Sequence, residues 1–254
     1  MHHLQLTDTT EQGKVQPLMG TAAFATPWDT LDYLHIAPQS EHRWNSGEQN
    51  TFEYGYLVLQ GDIEVLTGND RVHAHAPAAV RTLDPNHSLL NGSNETAGVL
   101  AHKVTIQERS FSLEEGQRHT AVVAVDPGQL QWRPAIHGGV GRIATRHIWG
   151  PEDLSSTWTF LDHAILGPRS SVGYHHHEGL EESFIILEGT GYVTIEDSCF
   201  EVAPGSVTFQ GIRQAHGIYN RADEELNFIR VAVAGEDGAF TTVDLHDDIE
   251  GRCP

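Results

Sequence analysis

The stretch GYHHHEGLEESFIILEG, residues 173–189, places three consecutive histidines and three acids ahead of an apolar run closed by glycine. The run from Ser183 to Leu187 is too short for an amphipathic helix and is rich in branched and aromatic side chains, which marks a buried β-strand. Successive side chains of a strand point to opposite faces, so His175 and His177 share one face and His176 takes the other. Glu182 stands where the apolar strand opens. The same alternation extends the inward set to Gly173 upstream and to Phe184 and Ile186 downstream.

Similar short runs recur along the chain: YGYLVLQG (54–61), DIEVLTG (62–68), GYVTIED (191–197), SVTFQG (206–211) and LNFIRVAV (226–233). Gly, Pro, Asn and Asp separate them, and helical periodicity is scarce, so the chain reads as an all-β sandwich or barrel. Two halves align. EYGYLVLQG (53–61) resembles EESFIILEG (181–189), Ala76-Pro77 matches Ala203-Pro204, and His87-x-x-x-Asn91 matches His216-x-x-x-Asn220. A nearly constant offset, Gly61 against Gly189, predicts two copies of one β domain. The expected organisation is an arm at 1–19, a first domain at 20–105, a connecting segment at 106–139, a second domain at 140–235 and a tail at 236–254.

Composition narrows the function. The chain has 254 residues with 15 basic and 35 acidic, a net charge of −20, and only Lys14 and Lys103 are lysines. Such a surface repels phosphate backbones and argues against a nucleic-acid partner. There is no apolar run of membrane-spanning length and no secretory pattern at the N-terminus. Cys199 and Cys253 offer neither a disulfide framework nor a Cys-x-x-Cys site. A soluble, cytoplasmic protein is the expectation.

In the second half, Pro204-Gly205 makes a turn, Ser206–Gln210 reads as a strand, and His216 heads His-Gly-Ile-Tyr-Asn. A sheet curled on itself can bring His175, His177, Glu182 and His216 together. Three neutral imidazoles and a carboxylate suit a divalent first-row metal and leave coordination positions open for substrate, water or O₂. Fe(II) or Mn(II) is favoured, with Ni, Co or Zn as alternatives. Glu181 adjoins Glu182 and becomes the carboxylate if the register shifts by one.

These residues resemble a known family. Gly-x-His-x-His-x-x-x-x-Glu-x-x-x-x-x-x-Gly fits 173–189, and Pro204-Gly205 followed by His216-x-x-x-Asn220 is similar to the second of the two cupin motifs, with its glycine directly after the proline. The chain resembles a bicupin. The resemblance implies two tandem jelly-roll β-barrels and supports Glu182 over Glu181. It leaves the reaction open, because one fold hosts many chemistries. The expected function is a metal-dependent enzyme acting on a small organic molecule, foremost a non-haem Fe(II)-type dioxygenase, with Glu182 as a ligand able to accept a proton. A non-redox isomerase, decarboxylase, lyase or hydrolase of a carboxylate or keto acid is the alternative, and a non-catalytic binding module is a third reading. The family's habit implies a homodimer.

Mapped to the first half, His175 falls on Gly47, His177 on Gln49 and Glu182 on Tyr54, while His216 keeps His87. One imidazole does not hold a metal, so the first copy is expected to have lost its site. His73 and His75 form a second His-x-His, but they align with the strand before the proline turn, and no spaced acid follows. His42 reads as a surface histidine. Candidate substrate contacts are Phe184, Ile186, Phe209, Ile218 and Arg230, with Trp149, Trp158, Arg146 and Arg169 as further possibilities. An inward arginine implies a carboxylate substrate, which it pairs as a planar fork.

Overall fold

The structure is a computed structural model that describes residues 2–6, 14–44, 51–68, 70–107 and 120–253. Among the described residues the strands are β1 (His3–Gln5), β2 (Val15–Met19), β3 (Trp28–Ile36), β4 (Ser40–Arg43), β5 (Phe52–Gln60), β6 (Asp62–Thr67), β7 (Asp70–His75), β8 (Ala78–Thr82), β9 (Ser88–Asn91), β10 (Ala97–Thr105) and β11 (Ala121–Ala124). They continue as β12 (Gln131–Pro134), β13 (Arg142–Trp149), β14 (Trp158–Leu166), β15 (Ser170–Glu178), β16 (Leu180–Glu188), β17 (Gly191–Ile195), β18 (Ser198–Val202), β19 (Ser206–Gln210), β20 (His216–Asn220), β21 (Leu226–Ala234) and β22 (Thr241–Asp247). Among the described residues no helix is long and apolar enough to cross a membrane.

The chain divides into Asp8–Asp126 and a second unit of Pro127–Pro254 joined by Met1–Thr7. In the first unit the sheets run β11-β8-β5-β10-β3-β2 and β4-β9-β6-β7. In the second they run β1-β19-β16-β21-β14-β13-β12 and β18-β17-β20-β15-β22. The shared order β8-β5-β10-β3-β2 and β19-β16-β21-β14-β13 is the internal repeat of the sequence in three dimensions. Each unit is a jelly roll of two antiparallel sheets packed face to face, and the sheets stay separate instead of closing into a continuous barrel.

Alternation decides what lies between the sheets. Phe184, Ile186 and Phe228 from one sheet meet Val172, Val193 and Ile218 from the other in a fully buried core. Burying a side chain of this size contributes about 1.5–3 kcal/mol. The asparagines that end both His-x-x-x-Asn motifs are structural. Asn220 Nδ2 donates to the carbonyls of Gly167 and Glu224 at 2.9 and 2.7 Å, and Asn91 Nδ2 donates likewise to Ile36 and Glu95.

Three readings are extended or changed. First, the segments read as an arm and a tail each carry a strand: β1 pairs with β19, and β22 pairs with the histidine strand β15. Hydrophobic patterning alone missed β22, because most of it is exposed. Second, Cys199 and Cys253 are joined in a disulfide across 54 positions, tying the C-terminus to β18. Disulfides persist in oxidising compartments, so cysteine usage no longer points inside the cell. Third, Gly173 does not continue the inward face, since Val172 occupies the core and the register shifts between Val172 and His175. A bulge inserts a residue and breaks strict alternation.

Candidate metal centre

His175, His177, Glu182 and His216 meet: one donor atom from each lies within 4.8 Å of the others, and all four side chains are buried. β15 supplies two imidazoles, β20 lies beside it in the same sheet, and β16 brings the carboxylate from the facing sheet. His175 is paired directly with His216.

The rings are set from behind. His175 Nδ1–H donates to the Gly173 carbonyl at 2.8 Å, and His216 Nδ1–H donates to that of Gln214 at 2.8 Å. His177 Nδ1 pairs with the Thr242 hydroxyl on β22 at 2.9 Å. A neutral imidazole that spends its proton at Nδ1 offers a bare lone pair at Nε2. Nε2 of His216 lies 3.1 Å and Nε2 of His177 3.5 Å from Glu182 Oε2. Lone pairs facing an anionic oxygen repel, and His175 Nε2 and Glu182 Oε1 are buried without a hydrogen-bond partner. A cation converts all of these into partners, so the cluster fits a metal.

The electrostatics agree. Burial, with the neighbouring His216 and His137 rings, pushes the His175 imidazole down to about 2, so it stays neutral and able to ligate. Burial pushes the Glu182 carboxyl up, but opposing contributions led by the Arg230 guanidinium outweigh it and hold the group well below the usual carboxylate range. Arg230 Nε sits 3.7 Å from Glu182 Oε1, and its Nη2 donates to Asp162 Oδ2 at 2.6 Å.

Other supports carry no family-like motif. His137 stacks on His175 at 4.0 Å and is fixed by Asp244 of β22 at 2.6 Å. Asp162, the anchor of Arg230, is met from β13 by His147. Only three-dimensional pairing reveals His137, Asp244 and His147. A sequence signal existed for Asp162 and Arg230, since a charge inside an apolar strand is costly unless paired.

Of the candidate contacts, Phe184 lies edge-on to His216 at 5.9 Å. Ile186 and Ile218 belong to the core beneath. Phe209 pairs with Ser183, whereas Gln210 pairs with Glu182, so β19 presents Gln210 and not Phe209 to the centre's face. Glu181 likewise lies on the face opposite Glu182. Trp149 and Trp158 pack edge-to-face in the core, and Arg169 pairs with Asp223 at the surface. Arg146 is partly buried on β13. His176 is partly buried on the other face of β15, and His75 is exposed and pairs with Asp62.

In the first unit, Gly47 and Gln49 lie outside the described residues. Tyr56, the counterpart of Phe184, directs its hydroxyl to Nε2 of His87, the atom whose equivalent in His216 faces Glu182. Lys103 lies opposite Tyr54, with its ammonium 4.5 Å above the Phe52 ring. A phenol thus takes the nitrogen that the second unit turns to Glu182, and the Lys103 ammonium is held by Asp29 at 3.0 Å. Phe184→Tyr is therefore expected to bring a hydroxyl to His216 Nε2 and weaken metal binding by at least ~10-fold with a small change in Tm. Calorimetric titration with Mn(II) checks this, and unchanged affinity refutes the comparison.

Residues 163–232 match the cupin domain family. The oxalate-binding protein of Thermotoga maritima is 30% identical over 98 residues, covering 39% of this chain and 81% of that protein. A variant of Bacillus subtilis oxalate decarboxylase has a TM-score of 0.64 at 11% identity, covering 96% of this chain and 79% of its own. Salicylate 1,2-dioxygenase from Pseudaminobacter salicylatoxidans has a TM-score of 0.63 at 11% identity, covering 94% and 82%. Repeat, fold, site and comparisons agree: the chain belongs to the cupin superfamily, and with two copies of the fold it is a bicupin.

Proposed function

We propose that this bicupin is a divalent-metal-dependent enzyme whose substrate is a small organic carboxylate. The observation that carries this reading is the set of three imidazoles, each committed at Nδ1, converging with the Glu182 carboxylate. His175, His177, Glu182 and His216 would hold the ion, with Fe(II) or Mn(II) favoured for a set of this kind. When bound, the metal supplies Lewis acidity and, as Fe(II), redox coupling to O₂.

The surrounding residues support an anionic substrate. Glu182 and Asp162 bring two negative charges and Arg230 one positive, so a divalent ion leaves the buried centre with an excess positive charge. A carboxylate neutralises that excess, and burial makes the pairing stronger than in water. Phe160, Leu180 and Ala232 form an apolar cluster beside Glu182, and Phe240 lies edge-on to His177 at 6.1 Å with 39% of its surface exposed. These residues exclude water around the reacting groups, and Glu182, kept ionised by Arg230, serves as the anionic ligand. Dioxygenation is the leading reaction.

Metal analysis of the isolated protein, followed by turnover of a panel of small carboxylates with and without O₂, tests the proposal. Stoichiometric Fe or Mn with turnover only in air is expected. Turnover that persists anaerobically replaces the oxygenase with isomerase, decarboxylase or hydrolase chemistry. Absence of metal overturns the reading. Metal and tight carboxylate binding without turnover favour a binding module, the second reading, to which the name of the Thermotoga relative lends weight.

A further inference from the structure

A chain of charged side chains runs from the surface to the centre across β13, β14, β21 and β16. His147 is paired in register with Asp162, and Asp162 with Arg230. Glu182 lies diagonally across from Arg230, whose direct partner is Phe184. Side-chain exposure is 61% at His147, 3% at Asp162, 13% at Arg230 and 1% at Glu182. The Arg230 guanidinium lies over the Phe160 ring at 5.0 Å.

Arg230 is held unequally. Its Nη2 is within hydrogen-bond distance of Asp162, at 2.6 Å, whereas its Nε stands 3.7 Å from Glu182 Oε1. The guanidinium therefore attracts the outer oxygen of Glu182 without capturing the carboxylate. Oε2 stays turned toward His177 and His216.

We infer, on the reading of the cluster as a metal centre, that Asp162 is a positioning residue: by holding Arg230 to itself, it keeps Glu182 available to the ion. Remove the Asp162 charge, and the strongest partner left to Arg230 is Glu182. Arginine and carboxylate pair through two parallel hydrogen bonds, and that geometry occupies both Glu182 oxygens. His147 clamps Asp162 from the opposite side and leaves its other oxygen to Arg230. Asp162 touches neither ion nor substrate and acts only through Arg230.

The test is Mn(II) affinity by calorimetry for wild type, Asp162→Asn and Arg230→Gln, with the Tm of each metal-free protein measured alongside. The expected result is a loss of at least ~10-fold for Asp162→Asn, the scale of an outer-shell partner. Arg230→Gln, alone and combined with Asp162→Asn, separates positioning from simple charge. Deleting a positive charge near a cation tightens binding by Coulomb's law in either background, whereas release of a captured Glu182 adds to the gain only where Asp162 is already lost. The gain from Arg230→Gln is therefore expected to be at least ~10-fold larger in the Asp162→Asn background than in wild type, a coupling read from the double-mutant cycle. Unchanged affinity in Asp162→Asn, or equal gains from Arg230→Gln in the two backgrounds, overturns the inference. A structural role alone would move Tm and leave the affinity of the folded fraction unchanged. Should Asp162→Asn fail to fold, His147→Ala at the exposed end replaces it; a few-fold loss is then expected, and no loss overturns the inference. If wild type binds neither Mn(II) nor Fe(II), the metal-centre reading itself fails and the inference falls with it.

Discussion

His177→Ala is expected to leave a folded protein that has lost its metal and its turnover. Outer-shell partners of metal ligands are worth about 10–100-fold in affinity, and deleting a ligand exceeds the upper end of that range. The fold withstands the change, because the core of this unit is built from Phe184, Ile186, Val193, Ile218 and Phe228 and excludes His177. His177 also lies toward the mouth, at 7% exposure against 1% for His175 and His216. Its truncation costs on the order of 1–2 kcal/mol, typical of a single substitution. Elemental analysis, Mn(II) titration and Tm on one preparation give the answer. His75→Ala is the control: that ring lies exposed on β7 against Asp62, and its removal is expected to leave metal content and Tm unchanged. Full metal content in His177→Ala would remove the cluster as the site. A large loss in His75→Ala would move the site to the other His-x-His.

The legible parts of the molecule were those fixed by local alternation and by the repeat. Two histidines at i and i+2, a glutamate opening the next strand, and a histidine heading His-x-x-x-Asn are local patterns, and the structure brings all four side chains together. The repeat set Tyr54 and His87 against Glu182 and His216, while the other two positions, Gly47 and Gln49, lie outside the described residues. Side chains that act across strands were not legible. Asp162 gains its role from neighbours on β13 and β21, and Thr242 gains its own because β22 crosses beside β15. No spacing rule encodes these pairings. Parity also failed where the backbone inserts a residue: after Val172 the register slips, and Gly173 loses the inward place that alternation assigns. Phe209 misled for a related reason, since an aromatic residue on a buried strand has two apolar faces to choose between, and only the pairing of Glu182 with Gln210 decides.

Opening the Cys199–Cys253 bridge is expected to produce the largest loss of stability in the second unit and to loosen the metal as well. In the chain-entropy account, a cross-link spanning 54 positions stabilises by up to about 4 kcal/mol. For a domain of this size that corresponds to a fall in Tm on the order of 10 °C. The local structure explains why the effect should reach the centre. β22 is exposed along nearly its whole length and lies at the edge of its sheet, so apolar burial contributes little to holding it. It is retained by its pairing with β15, by Ile249 packed fully buried among Tyr174, Ala215 and Tyr219, and by the bridge. The same strand supplies Thr242 to His177 and Asp244 to His137, which stacks on His175. Once the anchor is cut, fraying of β22 releases the groups that orient two imidazoles, and metal affinity should fall about 10-fold, as when an outer-shell partner is lost. Cys253→Ser and a dithiol-reduced wild type should behave alike in calorimetric unfolding and Mn(II) titration. A Tm within about 2 °C of the oxidised protein would show that β15 pairing and Ile249 burial suffice to retain the strand. A lowered Tm with unchanged affinity would show that Thr242 and Asp244 stay in place without the bridge, and would confine the disulfide to stability alone.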